Sequence, residues 1–241
     1  MKLEGKVALV TGGGRGIGRA TALALAREGA AVAVLARSPD QVQETVRLLR
    51  QTSRPAVGVP ADVTRKDQVE RAVASVAEKL GPIDILVNNA GVARFAPVLE
   101  AEPADWQHMF EVNVLGPLLC TQAVLPSMIE RGRGWIINVS SSAGIKGYVH
   151  QSGYCASKHA LLGFAKVLAL ETRAHGIRVH TLCPGAVDTD MARAHRDAGD
   201  SPDDWMQPEE IAQTVVFLAS FDGVAMVDNI ILRRYKATPW P

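Results

Sequence analysis

Tyr154 and Lys158 stand four residues apart, in Tyr-Cys-Ala-Ser-Lys, within a helical pattern that begins near Gly153. That spacing sets a phenol and an ammonium on one helix face. A free phenol ionises near pH ~10, too high to trade protons readily at neutrality. A neighbouring cation favours the phenolate and draws that value toward working pH. Thirteen residues before the tyrosine, Ser141 sits inside Ser140-Ser141-Ser142 at the end of an apolar run. A Tyr and a Lys four apart are by themselves an ordinary helical pair, so the chemistry rests on their coincidence with the features below. Tyr148, His150, Cys155 and His159 are close in sequence. They lack metal-ligand spacing, so no metal site is expected, and His150 reads as a pocket-rim residue.

A second feature lies near the N-terminus, where an apolar run ends in Thr11-Gly-Gly-Gly-Arg-Gly-Ile-Gly18 and a helical pattern follows. Gly12, Gly14, Gly16 and Gly18 permit a tight turn, and backbone N–H groups around Arg15 and Ile17 can approach a pyrophosphate. The helix N-terminus adds its positive dipole end. In such a loop–helix unit the adenosine ribose lies at the end of the next strand, where an acid would bind a free 2′-hydroxyl and repel a 2′-phosphate. Here that position is Ala36, followed by Arg37. A planar guanidinium can fork onto phosphate oxygens, so the pair predicts NADP(H) rather than NAD(H).

The elements that must position these groups alternate. Short, almost continuously apolar runs at 7–11, 31–36, 56–61, 83–88, 135–140, 178–183 and 229–232 are separated by helical patterns at 16–28, 39–52, 66–80, 103–131, 153–175 and 208–220. Strands without polar alternation belong to a parallel sheet covered on both faces. The expectation is an α/β single-domain Rossmann fold, a doubly wound parallel sheet of about seven strands with helices on both faces. No linker, repeat or low-complexity stretch divides residues 1–241. Pro117 falls inside the 103–131 pattern. It has no N–H to offer the carbonyl of Asn113, so a distortion is expected there and that carbonyl becomes available to a water.

Composition narrows the classes. With 47% hydrophobic and 21% charged residues and a net charge of +1, the chain has ordinary globular composition and no field that would gather nucleic acid. Three scattered cysteines, Cys120, Cys155 and Cys183, favour a reducing compartment. The N-terminus enters a strand pattern without a signal-like run, and no uninterrupted apolar run approaches the ~20 residues of a membrane span. A cytoplasmic protein without nucleic-acid or membrane partners is expected.

Taken together, the glycine loop, Asp62-Val63, Asn88-Asn-Ala-Gly91, Asn113, Ser141, Tyr154-x-x-x-Lys158 and Pro184-Gly185 resemble the short-chain dehydrogenase/reductase family, 3-oxoacyl-reductase-like, over nearly the whole chain. The resemblance implies that hydride adds to a carbonyl carbon while Tyr154 protonates the developing alkoxide. Ser141 would supply a further donor, and Lys158 would also grip the nicotinamide ribose. The main chain at Asn113 would hold a water linking Lys158 to solvent. It also implies that Asp62 holds the adenine edge with Val63 beside it, that Gly91 closes the pocket, and that Val187 and Thr189 contact the nicotinamide. Arg15 resembles a second basic residue of NADP-preferring members. Asn88 either touches the cofactor or ties neighbouring strands.

By the same resemblance, residues 190–207 match a variable substrate lid, too short to bury a very large substrate. The expected substrate is a small ketone, aldehyde or 3-oxoacyl thioester, and the expected assembly a homotetramer or homodimer. Polyol, sugar or steroid oxidation is the alternative. A nucleotide-sensing regulator would lack the Tyr or the Lys, and both are present. The chain departs from the family at 221–241, where an Asp-Gly-Gly ending gives way to Ile230-Ile-Leu-Arg-Arg234 and a tail containing Trp240. That departure puts in doubt the oligomer interface relatives build there.

Overall fold

The computed structural model describes residues 1–195 and 204–238. The central part of the expected lid and Trp240 lie outside the described residues. Seven strands, β1 (Val7–Thr11), β2 (Ala31–Ala36), β3 (Ala56–Pro60), β4 (Ile85–Asn88), β5 (Gly134–Val139), β6 (Ile177–Pro184) and β7 (Asn229–Leu232), form one sheet in the order β3-β2-β1-β4-β5-β6-β7. Every neighbouring pair is parallel. The order reverses between β1 and β4, and in an open parallel sheet that switch point, at the carboxyl ends of the strands, is where a crevice opens.

Helices α1 (Gly16–Arg27), α2 (Pro39–Arg50), α3 (Lys66–Leu80), α4 (Pro103–Phe110), α5 (Gly116–Glu130), α6 (Ser152–Thr172), α7 (Asp190–Arg193) and α8 (Pro208–Ser220) follow in chain order. Two apolar cores result, one on each face of the sheet. The first joins Leu25, Leu49, Ile211 and Val215 to alternate strand residues such as Val10 and Val34. The second joins Val69, Val124, Met128 and Leu168 to the opposite alternates, Leu9 and Leu35. Successive strand residues point to opposite faces, so strands buried on both sides need apolar residues at nearly every position, as β1 shows.

The expected helix over 103–131 is broken. Between α4 and α5 a π-helical turn spans Glu111–Leu115, and the Gly116 N–H reaches back to the Glu111 carbonyl. The missing N–H of Pro117 accounts for the change of register at this place. The run Pro103–Glu130 is long and apolar enough to cross a membrane by length and composition, yet its inner face, with Met109, Cys120, Val124 and Met128, is buried in this molecule.

Candidate active site

A cavity of about 1110 Å³ lies along the carboxyl ends of the strands. At its centre the glycine loop leaves β1 through Gly12, at φ +63°, and turns again at Gly16, at φ +50°. A side chain at 18 would collide with the Gly12 carbonyl oxygen, and one at 14 would come within 2.9 Å of Gln41 Cβ. The loop is therefore a backbone cradle that side chains would fill, the form a pyrophosphate requires. Arg19 fixes it from below, its Nε donating to the Gly14 carbonyl at 3.0 Å and to Thr45 Oγ1 at 3.1 Å.

The end of β4 is tied to the same loop. Thr11 Oγ1 accepts from the N–H groups of Asn89 and Ala90, and Asn89 Nδ2 donates to the Thr11 carbonyl at 2.9 Å. Asn89 and Gly91 line the cavity. Asn88 does not: it is buried, and its Nδ2 donates to Asn138 Oδ1 at 3.0 Å, bracing β4 against β5. Of the two roles open for Asn88, the structure places its side chain in strand bracing. Side chains alternate along a strand, so in the Asn-Asn pair only the second emerges toward the loop.

On one side of the switch point, Ala36 and Arg37 at the end of β2 and Asp62 and Val63 beyond β3 line the cavity. Arg37 is exposed and has no ion-pair partner among the described residues. Asp62 Oδ1 accepts from the Thr64 N–H and hydroxyl, both at 2.9 Å, which fixes its turn. Arg15 is paired with Asp190 of α7 at 3.0 Å across the cavity mouth. This half suits an anionic ligand bearing a phosphate near Arg37.

The other half is built on β5 and α6. Ser141 caps the short turn Ser142–Gly144, its Oγ accepting from the Ala143 N–H at 3.1 Å. Its own O–H remains able to donate into the cavity. Tyr154, in the first turn of α6, stands where the Ser141 hydroxyl acts on its phenol, and Lys158 follows one turn later with Nζ 5.8 Å from the phenol ring centroid. The ammonium donates to the Val139 carbonyl at 3.0 Å. Burial pushes the Tyr154 phenol up to about 12, against the smaller lowering by the Ser141 hydroxyl. Burial likewise brings Lys158 down to about 8. An ammonium together with an oxidised nicotinamide is expected to lower the phenol; in the protein alone, desolvation raises it.

Asn113 lies wholly buried in the π turn. Its amide oxygen accepts from the Val92 N–H, and its Nδ2 donates to the Val92 carbonyl and to Ser157 Oγ. Ser157 Oγ in turn donates to the Tyr154 carbonyl at 2.8 Å. The side chain of Asn113 thus braces the half built on β5 and α6, a role that attention to its carbonyl alone overlooks. Val187 and Thr189 line the cavity, with Val187 bridged to Met206.

Several lining residues carried no recognisable spacing signal. Phe95 stands with its ring edge-on to Tyr154 at 5.8 Å and against His195 at 4.3 Å between centroids, an aromatic clasp between the β4 loop and the end of α7. Tyr148 lines the wall and donates to Ser142 Oγ at 2.8 Å. The tail beyond β7 contributes Arg233, Arg234 and Ala237. Among the described residues, no three His, Cys, Asp or Glu side chains gather in a metal-sized cluster.

A family model described as short chain dehydrogenase matches residues 6–200. The chain belongs to the short chain dehydrogenase family. Over 96% of its length this short chain dehydrogenase is 37% identical to 97% of a 3-oxoacyl-[acyl-carrier-protein] reductase, FabG, of Thermotoga maritima. It superposes on an alcohol dehydrogenase of the archaeon Thermococcus sibiricus, complexed with 5-hydroxy-NADP, with a TM-score of 0.89 and 31% identity, covering 98% and 99% of the two chains. It superposes equally on an NAD+-bound xylitol dehydrogenase, with a TM-score of 0.90 and 32% identity over 97% and 98%. The fold and the oxidoreductase family are thereby fixed, and the two relatives with bound nucleotide differ in which one they hold.

Proposed function

We propose that this dehydrogenase is one NADP(H)-binding domain, with a short lid near 190–207, that reduces a small ketone, aldehyde or 3-oxoacyl thioester to an alcohol. The observation that carries the reading is the half-buried Tyr154 phenol, within reach of the Ser141 hydroxyl and one helical turn before Lys158, whose Nζ lies 5.8 Å from its ring centroid. A phenol held at about 12 carries its proton at neutral pH, which is the state that protonates an alkoxide. The glycine cradle from Gly12 to Gly18 would take the pyrophosphate, Asp62 and Val63 the adenine, and Val187 and Thr189 the nicotinamide side. Arg37 next to Ala36 supports a 2′-phosphate, which an exposed guanidinium without an ion-pair partner among the described residues suits and an acid at 36 would repel. The nicotinamide, when bound, supplies the hydride.

The protein's own groups then do the rest. Ser141 donates to the substrate oxygen and orients the carbonyl, and Tyr154 delivers the proton to that oxygen. Lys158, anchored on the Val139 carbonyl, places a positive charge beside the phenol and stabilises its anion after transfer. Phe95 packs edge-on against the phenol ring and is itself backed by His195. A cytoplasmic homodimer or homotetramer belongs to the same reading.

Polyol or sugar oxidation is the second reading, favoured by the likeness to xylitol dehydrogenase. It runs the same atoms backward, with Tyr154 as base. The test is a panel of ketones, 3-oxoacyl thioesters and polyols followed by absorbance of the reduced nucleotide. NADPH consumption with a carbonyl, faster than with NADH, is expected. Turnover only of polyols, or faster use of NADH, overturns the reading.

A further inference from the structure

The tail after β7 occupies a defined place. In the sheet order β7 is the edge strand beside β6, and Leu232 pairs with Pro184. The carboxyl end of β7 therefore emerges on the same rim as Ser141 and Gly185, at the edge farthest from Ala36 and Arg37. The Gly185 N–H donates to the Leu232 carbonyl at 2.8 Å, and Arg233 Cα lies 3.8 Å from where a Gly185 side chain would begin. Residues 233–238 are tied down. Arg233 Nη1 donates to the carbonyls of Arg234, Tyr235 and Ala237 at 3.2, 3.0 and 2.7 Å. The Ala237 N–H closes the turn on the Arg234 carbonyl at 3.0 Å. Lys236 pairs with Asp204 at 2.7 Å, joining the turn to the segment whose Trp205 lines the cavity.

We infer that residues 233–238 form a built-in wall of the substrate end of the cavity, that Arg233 is the positioning residue that folds it, and that this wall limits the substrate to carbonyls with a small group on that side. Nη1 of the guanidinium is committed to backbone carbonyls by charge-assisted bonds, and through them Arg233 shapes the pocket. The inference rests on the carbonyl-reductase reading for its substrate class and on the tail geometry for the wall.

The experiment compares wild type with Arg233→Ala, Arg233→Lys and Lys236→Ala, using 2-butanone as the small ketone and acetophenone as the bulky one. A pocket contact of this size is worth about ten-fold or more in discrimination. Arg233→Ala is expected to raise the acetophenone to 2-butanone ratio of kcat/KM about ten-fold, chiefly through a lower KM for acetophenone. Arg233→Lys, which keeps a cation on a flexible stem, should restore part of the wild-type ratio, and Lys236→Ala should shift it in the same direction but less. NADPH affinity, measured by fluorescence titration, is carried mainly by the glycine loop and Arg37 at the other end of the cavity and is expected to change less than about two-fold, within the ~0.4 kcal/mol that a remote site transmits. If wild type turns over neither ketone, the reductase reading fails while the wall is still read from binding of both ketones by ligand-observed NMR, with the same ten-fold expectation. An unchanged ratio in Arg233→Ala and Lys236→Ala, or an equal loss of NADPH affinity in both, overturns the inference.

Discussion

Asn113 and Val92 close a two-bond ring: the amide oxygen accepts from the Val92 N–H and the amide nitrogen donates to the Val92 carbonyl, each at 2.9 Å. The same nitrogen reaches Ser157, and Ser157 reaches the carbonyl of Tyr154. A buried side chain in a π turn thus ties the β4 loop to the first turns of α6, where Tyr154 sits.

Replacing that amide leaves part-buried backbone groups of Val92 without partners, at a cost of about 1–3 kcal/mol. Asn113→Ala is expected to lower Tm by roughly 2–4 °C per kcal/mol lost. It should also reduce kcat about ten-fold, a partial loss because the main-chain carbonyl at 113 survives. Thermal unfolding of Asn113→Ala within 1 °C of wild type, by the same estimate, would contradict the brace.

Cofactor choice is argued from two adjacent residues. Ala36→Asp with Arg37→Ala introduces the acid that accepts a free 2′-hydroxyl and removes the cation that suits a phosphate. The NADPH to NADH ratio of kcat/KM is expected to fall about 100-fold, the scale of two charged contacts. An unchanged ratio would remove the case for NADP(H).

The pH profile follows from burial. Lys158 is lowered to about 8, so its ammonium is present below that pH and is lost as pH rises through it. Tyr154 stays protonated until about 12. Carbonyl reduction needs both protons, so log kcat/KM should be level below about pH 8 and fall by one unit per pH unit above it. Lys158→Met should abolish the break. A wild-type profile level to about pH 10 would contradict the assignment of the break to Lys158, since one ionisation of that pKa costs a decade per unit.

Much of this was legible in the residues. The sheet followed from apolar runs that never alternate, a break in the 103–131 helix from Pro117, and the phosphate loop from its spaced glycines. Other features were hidden for physical reasons. Asn88 and Asn89 are identical in type, and only the strand's alternation decides which faces the loop. Phe95, His195 and Arg233 reach the cavity from segments distant in sequence, and no local periodicity records such a meeting. The direction of the tyrosine's shift depends on how deeply both charges are buried, which spacing does not encode.

The central claim is that the Tyr154 oxygen carries the transferred proton. The most direct measurement is carbonyl-dependent NADPH oxidation by Tyr154→Phe beside NADPH binding by fluorescence. The account predicts binding within about two-fold of wild type and turnover at least ~100-fold slower, the usual scale of a lost acid. Turnover near the wild-type rate with binding intact would contradict it.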